Sequence, residues 1–229
     1  MLCRRRLLCR SVNVTVRDFL RGLPVFDRPL PAFDTEAAPE EPSALFLSWL
    51  REAIEAGVSE PHAMTLATVD AEGRPDARVL ILKDVDADGW QFATATTSAK
   101  GSQLAARPRA ALSFHWREQG RQIRVRGAVA AADPGVSAAD FLAKPDGSRI
   151  AGLVGRQSAV LEDPGKLALE IEAAGQRLAE DPLAVAEDHA VYTLTPDVVE
   201  FWQGDSQRQH VRLRYRRTVN GWITERLWP

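Results

Sequence analysis

Between Met64 and Ala130 the chain changes from helical to strand periodicity and stays there. The runs Met64–Val69, Arg78–Leu82, Trp90–Thr94, Ala110–His115 and Gln122–Ala130 are rich in β-formers. Turn chemistry separates most of them: Asp70-Ala71-Glu72-Gly73, Asp84-Val85-Asp86-Ala87-Asp88-Gly89 and Glu118-Gln119-Gly120. Short strands joined by tight turns imply an antiparallel sheet, and in a chain of 229 residues such a sheet closes most economically into a barrel. The expected class is therefore mainly β with flanking helices.

The helices are placed by spacing and by breakers. Leu45, Phe46, Trp49, Leu50, Ala53 and Ile54 recur at helical spacing between Pro42 and Gly57, which predicts an amphipathic helix with its apolar stripe in the core. A short helix over Lys100–Ala106 interrupts the strands. Thr96-Thr97-Ser98 precedes it, so hydroxyls and free backbone donors would meet an anion there. Ser137–Ala143, a segment near Arg149–Val154, and Pro164–Ala179 form a helical excursion. Strands resume at Ala190–Leu194, Val198–Trp202, Val211–Arg216 and Trp222–Leu227, with Asn220-Gly221 as a hairpin turn, and should pair back into the sheet.

Residues 42–229 read as one domain and residues 1–41 as an arm, partly disordered or extended. Val14 to Leu23 is weakly amphipathic, and Pro24 to Pro42 is Pro-rich, acidic and extended, suited to wrapping the barrel or a partner subunit. The basic start, Met1 to Arg10, has too short an apolar run for a signal peptide and reads as a disordered arm or an overlong start or, second, a nucleic-acid tether. No later stretch has the apolar length of a membrane span. A net charge of −2 gives no overall nucleic-acid or membrane signature, so any basic site must be local. Cys3 and Cys9, both in the arm, are the only cysteines, which fits a reducing cytoplasm and leaves no disulfide framework. His62, His115, His189 and His210 have no metal-ligand spacing, and no metal is expected.

The most specific chemistry lies near the end of the chain. Phe201-Trp202 closes a strand, and Arg208, His210, Arg212 and Arg214 follow within a few residues. Planar cations beside planar apolar surface suit a flat anionic ligand. Singly, each residue has a plainer reading: Arg78 or Arg212 as a surface strand arginine, Trp202 as core, His210 as a structural histidine. Their order along the chain argues for more.

Arg78-Val79-Leu80-Ile81-Leu82-Lys83, Ser98-Ala99-Lys100, Arg121-Gln122, Arg156-Gln157-Ser158, Glu200-Phe201-Trp202-Gln203-Gly204 and Arg208-x-His210-x-Arg212 occur in that order. From about Pro42 to Pro229 the sequence resembles the pyridoxine (pyridoxamine) 5′-phosphate oxidase family, including its phenazine-biosynthesis relatives. The resemblance implies an FMN-binding split β-barrel, a homodimer with two FMN at the subunit interface, hydride transfer from substrate to flavin, and reoxidation by O2. Carried over by position, Arg78, Val79, Leu80, Ile81, Leu82 and Lys83 would lie along the flavin. Thr94, Ser98, Lys100, Gln122, Gln157, Ser158, Trp202 and Arg212 would complete the FMN site. Arg208 and His210 would be the catalytic pair over the substrate ring, with Lys83, Lys144 and Ser148 as further substrate ligands. A dianionic phosphate asks for Arg and Lys with short hydroxyls, which these positions supply.

The sequence departs from the family where substrate should bind. A tyrosine and an arginine that hold the substrate phosphate correspond here to Asp140 and Lys144, beside Ser148. A carboxylate would repel a phosphate unless it points away or is paired, and lysine lacks arginine's bidentate fork. Ala99 replaces an arginine, and Gln209 and Val211 replace an aliphatic and an acidic residue. Pyridoxine or pyridoxamine 5′-phosphate is the leading substrate. A reduced heterocycle such as a dihydrophenazine is second, and a non-catalytic protein binding flavin, deazaflavin or haem is third.

Overall fold

The computed structural model describes residues 15–229; Met1 to Arg10, with both cysteines, lie outside them. The helices are α1 (Val16–Arg21), α2 (Pro42–Glu55), α3 (Ala99–Ala106), α4 (Pro134–Leu142), α5 (Asp146–Val154) and α6 (Pro164–Glu180). The strands are β1 (Ala63–Val69), β2 (Pro75–Ile81), β3 (Asp84–Val85), β4 (Trp90–Ala95), β5 (Arg109–Trp116), β6 (Arg121–Ala131), β7 (His189–Gln203), β8 (Val211–Thr218) and β9 (Gly221–Arg226). All pairings are antiparallel, in the order β2-β1-β5-β6-β7-β4-β3, and β8 and β9 continue from β7. β2 returns against β4, so the sheet curls into a split half-barrel with the helices around it.

Strand alternation fills the interior. Met64, Leu66, Phe92, Leu112, Phe114, Ile123, Val125, Val199 and Phe201 point inward and are buried. Helix α2 closes the open side: Phe46 packs against Trp90, Phe114 and Trp116, and Trp49 meets Phe201 edge-on. Arg121 lies over the Trp49 ring at 4.1 Å, paired with Glu52 at 2.7 Å, and stitches the helix to β6.

Besides shifts of a few residues at helix and strand ends, including α4 and α5, each of which starts three residues early, the sheet differs from expectation in three places. Ala190–Leu194 and Val198–Trp202 are parts of one 15-residue strand, β7. It changes neighbours along one edge, pairing β4 over His189–Leu194 and β8 over Val198–Gln203. Pro196 stands at the changeover, where that edge has no ladder needing its missing N–H. β2 starts at Pro75 because the Asp70–Arg74 turn zips the hairpin from its first pair, Val69 with Pro75. The expected turn over Asp84–Gly89 holds a two-residue strand, β3, paired with Trp90 and Gln91.

Residues 22–41 contain no strand or helix and run over the barrel. Phe33 packs on Trp49, Tyr215 donates its hydroxyl to the Pro39 carbonyl at 2.7 Å, and Phe26 lies beside Trp202 and His210.

Candidate functional site

A cavity of about 240 Å3 opens between the end of β4, the start of β7 and helix α5, lined in part by Leu80, Thr94, Lys144, Ser148, Gln157 and His189. Beside its Thr94 end lies Lys100, only 6% exposed. Among the described residues its polar partners are neutral: Gln157 Oε1 at 2.8 Å and Ser98 Oγ at 3.3 Å. Burial lowers its pKa, as does the charge of Arg78, against a smaller opposing effect of Asp76. An ammonium held this far from water with no carboxylate partner is suited to receive an anion.

Local backbone chemistry places these groups. Ser98 caps α3, accepting the Gly101 N–H at 3.2 Å and donating to the Ala95 carbonyl at 2.7 Å, so its buried hydroxyl fixes the helix that carries Lys100. Gly101 is required because a Cβ there would meet the carbonyl oxygens of Ala95 and Thr96. Gly155, Arg156 and Ser158 have φ of +66°, +56° and +78°, and this left-handed turn swings Gln157 onto Lys100 and brings Ser158 Oγ to 3.3 Å from the Ala99 N–H. Non-glycine residues held in this region cost of order 1 kcal/mol each and cluster at ligand sites.

Residues 78–83 divide by face. Leu80 lines the cavity and Leu82 is core, whereas Val79 and Ile81 point outward and are 66% and 41% exposed. Arg78 is anchored by the Leu66 carbonyl, the Thr68 hydroxyl at 2.6 Å, and an ion pair with Asp76.

Beyond Ile81, Lys83 reaches Asp140 on α4, and a charged cluster forms. Asp140 Oδ1 is 3.0 Å from Lys83 Nζ, and Oδ2 is 2.8 Å from His189 Nε2 and 3.8 Å from Lys144 Nζ. Burial alone would raise the Asp140 carboxyl, but hydrogen bonds from Lys83 and His189 and the charges of both lysines outweigh it and hold it below its usual range. Lys144 is lowered chiefly by burial. His189 is lowered by burial and by both lysines, against the pull of Asp140.

The remaining sequence-chosen residues sit together elsewhere. Gln122, Trp202 and Arg212 are aligned across β6, β7 and β8, on the face opposite buried Ile123, Phe201 and Leu213. Glu200 holds Arg212 at 2.7 Å, and Arg212 also reaches the Trp228 carbonyl at 2.9 Å. Arg208, at φ +66°, and His210 follow in the next turn. The His210 ring stands 4.8 Å from Trp202, and its Nδ1 accepts the Asp205 N–H at 3.1 Å. The two groups occupy opposite ends of β7, whose 15 residues span about 45–50 Å of contour at roughly 3.3 Å each.

The pyridoxamine 5′-phosphate oxidase family model matches residues 50–178, and the pyridoxine 5′-phosphate oxidase C-terminal dimerisation region matches 189–229. The chain belongs to this family. Pyridoxamine 5′-phosphate oxidases are FMN-dependent oxidoreductases, and the chain's closely similar relatives carry that name. A pyridoxine/pyridoxamine 5′-phosphate oxidase of Pseudomonas fluorescens is 45% identical over 198 residues, 85% of this chain and 92% of the relative. One from Hyphomonas neptunium is 41% identical over 213 residues, 89% of this chain and 91% of the relative. Among solved structures, PhzG from Burkholderia lata, in complex with tetrahydrophenazine-1-carboxylic acid, has a TM-score of 0.79 at 30% identity, covering 87% of this chain and 99% of that one.

Within this oxidase-family barrel two residues at the sites escape sequence reading. His189 has no local motif, and only the mismatch of a carboxylate at Asp140 signalled that a partner was needed. Phe26 comes from the arm, and its contact with Trp202 and His210 bridges more than 170 residues, which no local pattern reports. No described helix is long and apolar enough to cross a membrane.

Proposed function

We propose that the protein is an FMN-dependent oxidase that takes a hydride from a small planar N-heterocycle, with pyridoxine or pyridoxamine 5′-phosphate as substrate, pyridoxal 5′-phosphate as product, and O2 reduced to H2O2. The observation that carries the flavin part is Lys100, a buried cation whose partners are the neutral groups of Ser98 and Gln157. That donor set fits a flavin phosphate, with Thr94, Ser158 and Arg78 nearby. Bound FMN supplies the hydride acceptor.

The chain's own groups bind and orient. Lys100 and Gln157 would hold the cofactor's phosphate end, with Ser98 fixing Lys100, and Leu80 with the backbone of residues 79–83 would support the ring. Arg208 and His210 hold the substrate ring. Because His210 Nδ1 accepts a backbone N–H, the proton of its neutral ring sits on Nε2 and is available to a substrate oxygen. Lys83, Lys144 and Ser148 face the substrate's anionic group.

The two residue groups at opposite ends of β7 support a homodimer in which Gln122, Trp202, Arg208, His210 and Arg212 of one protomer complete the cavity of its partner. The matched C-terminal dimerisation region supports the same assembly. We propose a cytoplasmic location, a reducing compartment that suits a chain with two cysteines and no disulfide framework.

A second reading, oxidation of a dihydrophenazine-type heterocycle, draws support from Asp140 in the substrate corner and from the likeness to PhzG. The discriminating experiment mixes FMN-loaded protein anaerobically with pyridoxine 5′-phosphate and then admits air. Bleaching of the flavin band followed by recovery supports the vitamin substrate. A band that never bleaches with it, but bleaches with a dihydrophenazine, gives the second reading.

A further inference from the structure

The Lys144–Ser148 end of the cavity carries an internal charge balance. Three charged groups face His189: Asp140 from α4, Lys144 from the α4–α5 turn and Lys83 from beyond β2, while the carboxylate of its chain neighbour Asp188 accepts the Thr97 hydroxyl at 2.5 Å. Two lysines against one carboxylate leave a single positive charge while His189 is neutral, one short of what a dianion carries. Ser137, one turn before Asp140, accepts the Val191 N–H at 3.0 Å and so locks α4 onto the start of β7, which fixes the Asp140–His189 contact.

The geometry also fixes the histidine's form. Nε2 faces a carboxylate oxygen and therefore carries a proton. Lys144 Nζ lies 3.2 Å from Nδ1 and 3.4 Å from Nε2, near-equal separations that set the ammonium against the ring and not in line with one lone pair. A second proton on the ring would face that ammonium. Removing Lys144 to an incoming anion lifts this opposition, and the anion's own charge then favours the imidazolium.

We propose that Asp140 and His189 set the charge of this corner, so that a doubly charged anion such as a phosphate ester enters it together with one proton, taken up from solvent on His189. Asp140 and His189 are thus positioning and specificity residues: they hold Lys83 and Lys144 in place without a ligand and make dianion affinity depend on pH. The inference rests on the oxidase reading for the ligand's identity but not for the charge balance.

Sulfate, a dianion throughout the relevant range, is the probe. Its binding to the FMN-loaded full chain is followed by calorimetry in two buffers of different ionisation enthalpy, at about pH 6 and about pH 8. One proton per sulfate is expected, with affinity falling up to ~10-fold per unit of rising pH between the two His189 pKa values. His189→Gln should abolish the uptake. Asp140→Asn, which keeps the shape, should tighten sulfate about tenfold at the higher pH. Sulfate binding without proton uptake, uptake that survives in His189→Gln, an unchanged affinity in Asp140→Asn, or no binding at all overturns the proposal. Binding confined to FMN-free protein does so too, since the anion would then be the flavin's own phosphate. A protein that fails here yet bleaches with pyridoxine 5′-phosphate loses this device and keeps the oxidase reading.

Discussion

Lys100 Nζ donates to Gln157 Oε1 across 2.8 Å and 57 residues of sequence, tying the first turn of α3 to the left-handed turn after α5. Because the ammonium has no carboxylate partner among the described residues, it weakens the ligand-free protein and strengthens the loaded one. Lys100→Met should leave ligand-free thermal stability unchanged or higher, and weaken FMN by about 10–100-fold, the worth of one charge-assisted hydrogen bond. Fluorescence quenching of added FMN measures the affinity. An unaltered affinity would remove Lys100 from the cofactor site.

The cradle under that lysine has no spare volume. Gly101→Ala would push a methyl onto the Ala95 and Thr96 carbonyls and should cost about 2–4 kcal/mol. Gly147 in α5 meets nothing within 4 Å of an added Cβ, so Gly147→Ala should be neutral or stabilise by up to ~1 kcal/mol. Thermal unfolding of the pair tests whether close approach, and not glycine content, governs this region.

Much of the fold is legible in the sequence. The antiparallel sheet follows from strand period and turns, because both are local. So are the helices α2 and α6, with proline and glycine at their ends. Less legible is what depends on partners: β7 is one strand because β6 runs along its whole length, a fact that lies in the register and not in Thr195-Pro196-Asp197. The candidate site residues are marked in the sequence as ordered blocks, but their division between the two ends of β7 cannot be read from order alone. Asp140 stood out as a misfit, and His189, its partner 49 residues away, had no signal of its own.

In the proposed site His210 and Arg208 hold substrate and not flavin. The double variant Arg208→Ala with His210→Ala should retain FMN within a few-fold while turnover of pyridoxine 5′-phosphate falls by about 100-fold or more, as expected when positioning is lost. Turnover at the parental rate would detach this corner from the chemistry. Loss of FMN instead would move both residues into the cofactor site.

His189 links stability to acidity. Its folded pKa lies below the ordinary value of 6.5 because of burial and the two lysines, with Asp140 opposing. The unfolded chain therefore binds the proton first. The stability this histidine contributes is present above about pH 6.5 and is lost as pH falls through its folded value. Denaturant midpoints should decline over that window in the parent and decline less in His189→Gln. Equal slopes in the two proteins would mean that other groups carry the acid sensitivity.

The outward row of β2 offers the test of assembly. Val79 and Ile81 are apolar, exposed and next to the residues that line the cavity. A second protomer bringing Trp202 and Arg212 to that cavity would cover this row. At 66% exposure, Val79→Asp should change the fold's own stability by no more than ~0.5 kcal/mol. If the row is an interface, the substitution buries an unpaired charge and should shift the protein toward monomer, with FMN affinity falling in parallel. Light scattering across a dilution series, read beside flavin occupancy, separates the possibilities. A monomer that holds a full complement of FMN would end the two-chain account of the site, whereas flavin lost together with the dimer on dilution of the parent, whose Val79 is intact, would tie the two ends of β7 together through the partner.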